Sequence, residues 1–110
     1  MIDVCVTGCG EHSYRRIDCS GHAGFAEGGK DIVCASVSVL VINTINSIET
    51  FTKCKVIESE EDSVKGRMSV IFPEGTAEDA ALLIDSMLLG IRSIEEQYGS
   101  KYVKLTEVKE

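Results

Sequence analysis

A chain of 110 residues with 44% hydrophobic and 26% charged residues is long enough for one core and too apolar for disorder. Its net charge of −7 weighs against a nucleic-acid partner, which demands a basic stripe, and no run of ~18 uninterrupted apolar residues calls for a membrane span. "MIDVCVTG" lacks the basic start and long apolar stretch of a signal peptide, so the five cysteines are expected as free thiols in the cytoplasm.

No repeat or linker divides the sequence, and residues 1–110 read as a single domain. "IDVCV" alternates, with Ile2, Val4 and Val6 on one face and Asp3 and Cys5 on the other, which predicts a strand. "GCGEHS" is a turn cluster, and "RRIDCSGHA" is a second strand ending at Gly21 and His22. Gly24 to Lys30 reads as loop. From Ile32 to Thr50 valine and isoleucine abound, but the run is too long for a strand and holds no glycine or proline. At ~100° per residue, Ser36, Asn43, Asn46, Ser47 and Thr50 fall within a narrow arc with Val39 as the main apolar intruder, so a mostly buried helix with a polar stripe is expected.

"KCKVIES" and "SVKGRMSVIF" are two strands around the acidic turn "EEDS", with Val64, Met68, Val70 and Phe72 sharing a face. Residues 76–99 form the clearest helix: Ala80, Leu83, Met87, Ile91, Ile94 and Tyr98 recur at helical spacing, Thr76 can cap its start, and Gly99 can end it. "KYVKLTEV" closes as a strand. The order ββαββαβ predicts an α/β two-layer sandwich, a mixed sheet of about five strands with two helices on one face.

The chemistry concentrates in "GHAGFAEGGKDIVCA". Gly24, Gly29 and Lys30 reproduce most of a phosphate-binding loop, but Asp31 stands where the magnesium-binding hydroxyl belongs, and a carboxylate there repels phosphate. A flexible glycine loop is the simpler account, with an anion- or nucleotide-binding module as an alternative. Cys9-x-x-His12 and Cys19-x-x-His22 resemble halves of a zinc site, but on a strand Cys19 and His22 point to opposite faces. No metal and no cofactor is expected. Cys9 and His12 read as exposed turn residues, and Cys5, Cys19 and Cys54 as small buried residues on strands.

With Asp31 as helix cap, Ile32, Val33 and Cys34 become the first three helical positions, where the helix dipole and free N–H groups favour a thiolate and stabilise an oxyanion. His22, one loop away, suits a general base and acid. A buried cysteine and a strand-end histidine bonded to backbone are the competing readings of the same spacing.

These residues also carry a resemblance. "GHA", a loop of seven residues and "DIVCASVS" are similar to the signature of the ribosomal-processing cysteine proteases called Prp, and the likeness extends to length, element order and the second helix with its "SIEEQYG" end. The resemblance implies a cytoplasmic endopeptidase, usually a homodimer. It would remove the N-terminal extension of a large-subunit ribosomal protein, the twenty-seventh of its series. Cys34 matches the family's nucleophile, His22 its general base and acid, Asp31 the motif aspartate, Gly21 the glycine before the histidine, and Ser38 the serine one turn beyond the cysteine. The intervening loop, with Gly24, Phe25, Gly28, Gly29 and Lys30, is expected to close over substrate. A protein that holds a ribosomal partner without cleaving it is the other alternative.

Overall fold

The computed structural model describes residues 1–21, 29–59 and 68–110, without the side chains of 29–31 and 59. In chain order they form β1 (Ile2–Gly8), β2 (Tyr14–Ser20), α1 (Gly29–Phe51), β3 (Ile57–Ser59), β4 (Met68–Ile71), α2 (Glu78–Tyr98) and β5 (Val103–Lys109). The expected ββαββαβ order is the observed one. One five-stranded sheet runs β3-β4-β2-β1-β5. It is mixed: β1 pairs antiparallel with β2 and parallel with β5, and β4 pairs antiparallel with both β2 and β3.

Alternation along the strands sends one face inward. Ile2, Val4, Val6, Ile17, Cys19, Val70, Phe72 and Val103 are buried, and both helices close over them in one core. From α1 come Val33, Val37, Val41, Ile45 and Ile48, a row at helical spacing. From α2 come Ala80, Ile84, Met87, Leu88 and Ile91. The opposite face of the sheet is polar. There Arg16 Nε donates to both oxygens of Asp18 at 3.0 and 2.9 Å, and Ser69 Oγ donates to Asp18 Oδ1 at 2.7 Å. The helices lie close together at Gly90, where a Cβ would stand 3.0 Å from Leu40 Cδ1.

Several local expectations are corrected. Thr76 does not cap α2; Ala77 holds that position with no side-chain bond. The Thr76 hydroxyl instead accepts from the Tyr14 N–H at 2.9 Å, while Ser13 Oγ donates to the Thr76 carbonyl at 3.0 Å and accepts from its N–H at 2.9 Å. Tying the β1–β2 turn to the start of α2 satisfies more polar groups than a cap would. Gly99 ends α2 as expected, its N–H bonded to the Glu95 carbonyl at 2.8 Å. The buried stripe of α2 is rotated from the expected one. Ala81, Ile84 and Leu88 replace Leu83, Ile94 and Tyr98, which are only partly covered. Strand β3 is shorter than "KCKVIES", and Cys5 and Cys54 are half-buried, leaving Cys19 as the one fully covered cysteine. Val64 and the acidic turn at 60–63 lie outside the described residues.

The turn between β1 and β2 is pinned by a cluster that local sequence did not announce. His12 has φ 51°, and its Nε2 stands 2.5 Å from Asp85 Oδ2 on α2. The Tyr14 hydroxyl donates to Asp85 Oδ1 at 2.5 Å. Hydrogen bonding to Asp85, then its charge, holds the exposed His12 above its ordinary 6.5, and His12 and Tyr14 together hold Asp85 below 3.8 against a desolvation that acts the other way. Desolvation and the same carboxylate push Tyr14 up to about 12.

A raised histidine stabilises the fold fully below its unfolded 6.5 and loses that contribution as pH rises through the higher folded value. A depressed carboxylate contributes above 3.8 and loses it as pH falls through its lower folded value. The pair therefore supports the fold most between these limits. His12→Asn, which tolerates the left-handed backbone, is expected to lower the melting temperature more at pH 5 than at pH 9. An equal deficit at both values would mean that the imidazolium charge contributes nothing.

Candidate active site

Cys34 is half-buried on α1 and packs against the core beside the row that anchors the helix. Its neighbour on the sheet is Cys19, which β2 turns inward beside Ile17 by strand alternation. Burial pushes the Cys19 thiol up to about 11, with the nearby Cys34 and Asp3 adding to the shift. Cys34 packs against the same core cluster that Cys19 joins, and in the sequence β2 leads through Gly21 to His22. Strand alternation in the sequence predicts the inward direction of Cys19, but its closeness to Cys34 depends on how α1 packs on the sheet. Ser38 lies half-buried one turn after Cys34.

The helix start differs from the expected one. Gly29 and Lys30 belong to α1, so they are not part of a loop, and Asp31 is the third helical residue and not the cap. A helix can absorb this extension cheaply, because its first N–H groups need no intrahelical partner and an acid in the first turn complements the dipole. Cys34 is then the sixth residue of α1, one turn deeper than expected. The free N–H groups of the helix start belong to residues 29–32, and the backbone N–H at Cys34 is spent within the helix. Oxyanion donors taken from the first turn would therefore come from residues preceding Cys34. His22, Gly24, Phe25 and Gly28 lie outside the described residues.

Gly21 has a clear physical role. Its φ is +90°, and a Cβ on it would stand 2.1 Å from the Met1 carbonyl oxygen. Only glycine lets the chain leave β2 in this direction while passing the start of β1. Of the zinc pattern, His12 is held by Asp85 and Cys9 Sγ lies 3.7 Å from Ser13 Oγ, while His22 lies outside the described residues. Among the described residues no group of three or more His, Cys, Asp or Glu is placed to hold a metal ion.

Fold and thiol position together describe a cysteine-dependent enzyme of the two-layer α/β class, and comparison with known proteins supplies the family. Residues 1–104 match the family model described as cysteine protease Prp. The chain is 29% identical over 103 residues to the ribosomal processing cysteine protease Prp of Bacillus subtilis (strain 168), covering 89% of this chain and 90% of that one. It is 30% identical over 98 residues to the Prp of Staphylococcus aureus (strain Mu50 / ATCC 700699), covering 89% and 92%. Among solved structures it resembles the S. aureus Prp in complex with a substrate peptide, with a TM-score of 0.85 at 27% identity over 97% of this chain and 99% of the other. A Streptococcus mutans protein gives a TM-score of 0.87 at 29% identity over 100% and 96%. The chain belongs to the Prp family of ribosomal-processing cysteine proteases.

Gly21→Ala is expected to cost about 2 kcal/mol or more in chemical denaturation, since it combines a positive φ with a backbone collision. Peptidase activity should fall further than the stability loss explains, because the strained residue directly precedes His22. Wild-type stability and activity in Gly21→Ala would contradict the close approach to Met1.

Proposed function

We propose that the protein is an endopeptidase that removes the N-terminal extension of a large-subunit ribosomal protein, the twenty-seventh of its series, with Cys34 as nucleophile and His22 as general base and acid. The observation that carries this reading is that Cys34, half-buried on α1, packs against the core that Cys19 joins from β2, the strand that precedes His22 in the sequence. The relatives' names support the substrate class, since they are called ribosomal processing proteases. A solved S. aureus Prp holding a covalently linked product peptide supports covalent catalysis, with a TM-score of 0.78 at 27% identity. The enzyme acts in the cytoplasm as a homodimer; five free cysteines suit a reducing compartment.

In this mechanism His22 takes the proton from the Cys34 thiol as sulfur attacks the scissile carbonyl carbon. The tetrahedral oxyanion collapses, the carbon–nitrogen bond breaks, and His22 passes its proton to the departing amine. The acyl group remains on Cys34 as a thioester. A water molecule then gives a proton to His22 and adds to the thioester carbonyl. The carboxylic product leaves, and the thiol recovers its proton from His22. With Cys34 in the second turn of α1, the dipole acts on it less than on a first-turn residue, since the effect falls off within that turn. More of the activation rests on His22. Asp31 contributes its charge to the first turn, and Ser38 lies half-buried one turn beyond Cys34.

A peptide spanning the extension and the first residues of the mature ribosomal protein tests the assignment. Cys34→Ala is expected to abolish cleavage with the fold intact, and Cys34→Ser to retain almost nothing, because a hydroxyl is far harder to deprotonate. His22→Ala should lower kcat by ~10²–10⁴-fold. Full activity in His22→Ala would contradict the dyad. Asp31→Asn should cost at most ~1 kcal/mol of stability and keep most activity; complete inactivity there would give the carboxylate a direct catalytic part. In alkylation of the folded protein, Cys34 is expected to react first. Cys19 and Cys54 should react last, since burial raises both thiols, with Cys34 and Asp3 adding to the shift at Cys19 and Asp79 and Glu74 at Cys54.

A further inference from the structure

Cys34 opens toward one particular edge of the sheet. Leu40 of α1 meets Gly90 of α2, and α2 in turn packs on β5. At ~100° per residue Leu40 and Cys34 lie roughly 120° apart around α1, with the buried Val33, Val37 and Val41 between them. Leu40 therefore marks the flank of α1 nearer β5, and Cys34 marks the opposite flank. In the order β3-β4-β2-β1-β5, that opposite flank faces β4 and the edge strand β3. Met68 of β4, the register partner of Cys19, is half-buried there and packs, like Cys34, against the core cluster that Cys19 joins.

An inward row of the sheet ends at this edge in a carboxylate. Glu58 pairs with Val70, Val70 with Ile17, Ile17 with Val6, and Val6 with Glu107. Paired residues share a face of the sheet, and the three apolar members of the row are buried in the core. Glu58, in the middle of β3, is exposed. The two ends of the row differ in what meets them. Glu107 is bonded by Arg92 of α2, the helix that packs on its strand. On the Glu58 side, α1 carries no charged residue from Ile32 to Ile48. Among the described residues no ion pair includes Glu58.

We infer that Glu58 is a specificity-determining residue whose carboxylate binds a lysine or arginine side chain of the peptide substrate. The inference deepens the proposed function and rests on it. Strand and residue spacings put Glu58 about 12 Å from Cys19 across β4, a distance covered by roughly three to four residues of extended peptide. A peptide whose scissile carbonyl stands at Cys34 and which runs toward β3 brings a side chain a few residues from that bond to Glu58. A basic side chain is the one a carboxylate selects there. Ribosomal proteins hold phosphate backbones with lysine and arginine, and an enzyme of net −7 draws cationic peptide toward it. Glu58 touches none of the reacting atoms, so its effect falls on substrate binding and leaves the chemical step unchanged. An inward charge on an edge strand also deters pairing with another chain, but that role is indifferent to the sign of the charge.

Cleavage kinetics of the full chain test the inference, with peptides that span the extension junction and carry lysine or glutamine in turn at each position near the scissile bond. At one position the parent should show a KM ~5-fold lower for lysine than for glutamine, with kcat the same. Glu58→Gln should erase that difference and leave kcat as it was. Glu58→Lys should reverse it, favouring a peptide with glutamate at the same position over one with lysine. Such an exchange of preference requires contact with substrate, and a purely structural part for Glu58 would not produce it. A parent that cleaves the peptides while both variants keep its preferences would overturn the inference and leave the proposed function standing. A KM shift in Glu58→Lys that is uniform across all positions would mean long-range attraction without a contact, and would overturn it too. A parent that cleaves none of the peptides would overturn both.

Discussion

The row Val33, Val37, Val41, Ile45 and Ile48 fixes the rotation of α1 about its axis, and the direction of Cys34 follows from it. Each of these side chains is buried against the inner face of the sheet, and a fully buried valine or isoleucine is worth ~1.5–3 kcal/mol relative to exposure. Turning the helix enough to bury or expose Cys34 would lift several of them out of the core at once. A nucleophile must be held to a fraction of an ångström to be productive, and here the holding is done by packing. The same row leaves Ile32, Val39 and Ile42 exposed, so one constraint sets both the direction of Cys34 and the apolar outer face.

The other end of the site depends on β2. Its pairing puts Val4 opposite Cys19 and Asp3 opposite Ser20, so the strand emerges beside the start of β1. The chain must then turn without a Cβ. Gly21 meets that requirement at φ +90°. Cys19 near the end of β2 is a buried thiol whose pKa burial pushes up to about 11, so it stays protonated at neutral pH. At the opposite end of β1 and β2, Asp85 binds His12 and Tyr14, while Thr76 binds Ser13 and Tyr14. These bonds hold the hairpin against α2 far along the strands from Gly21.

Much of this was legible in the sequence because period and chemistry agreed. Ile2, Val4 and Val6 alternate as a strand should, and α1 outlasts any ordinary strand despite its valines. "GHA" and "DIVCASVS" pointed to one protease family before any geometry was known. What the sequence hid was set by contacts between distant residues. Thr76 looks like a cap but is claimed by Ser13 and Tyr14, which lie 63 and 62 positions away. The α2 stripe rotates because Gly90 must face Leu40, which favours Ala81, Ile84 and Leu88 inside. The cap at Asp31 rests on a residue preference alone, and the helix begins at Gly29, three residues before the expected Ile32. The first two misses follow from tertiary packing overriding a local preference of about 1 kcal/mol.

Covalent catalysis by Cys34 is the claim on which the functional account stands, and acid quenching of a reaction in its first turnover tests it most directly. The intact mass should rise by the acyl portion of the extension peptide, and mapping at low pH should place the adduct as a thioester on the peptide that contains Cys34. Peptide cleavage with no mass added to the protein, or an adduct on Cys5, Cys9 or Cys54, would contradict the account.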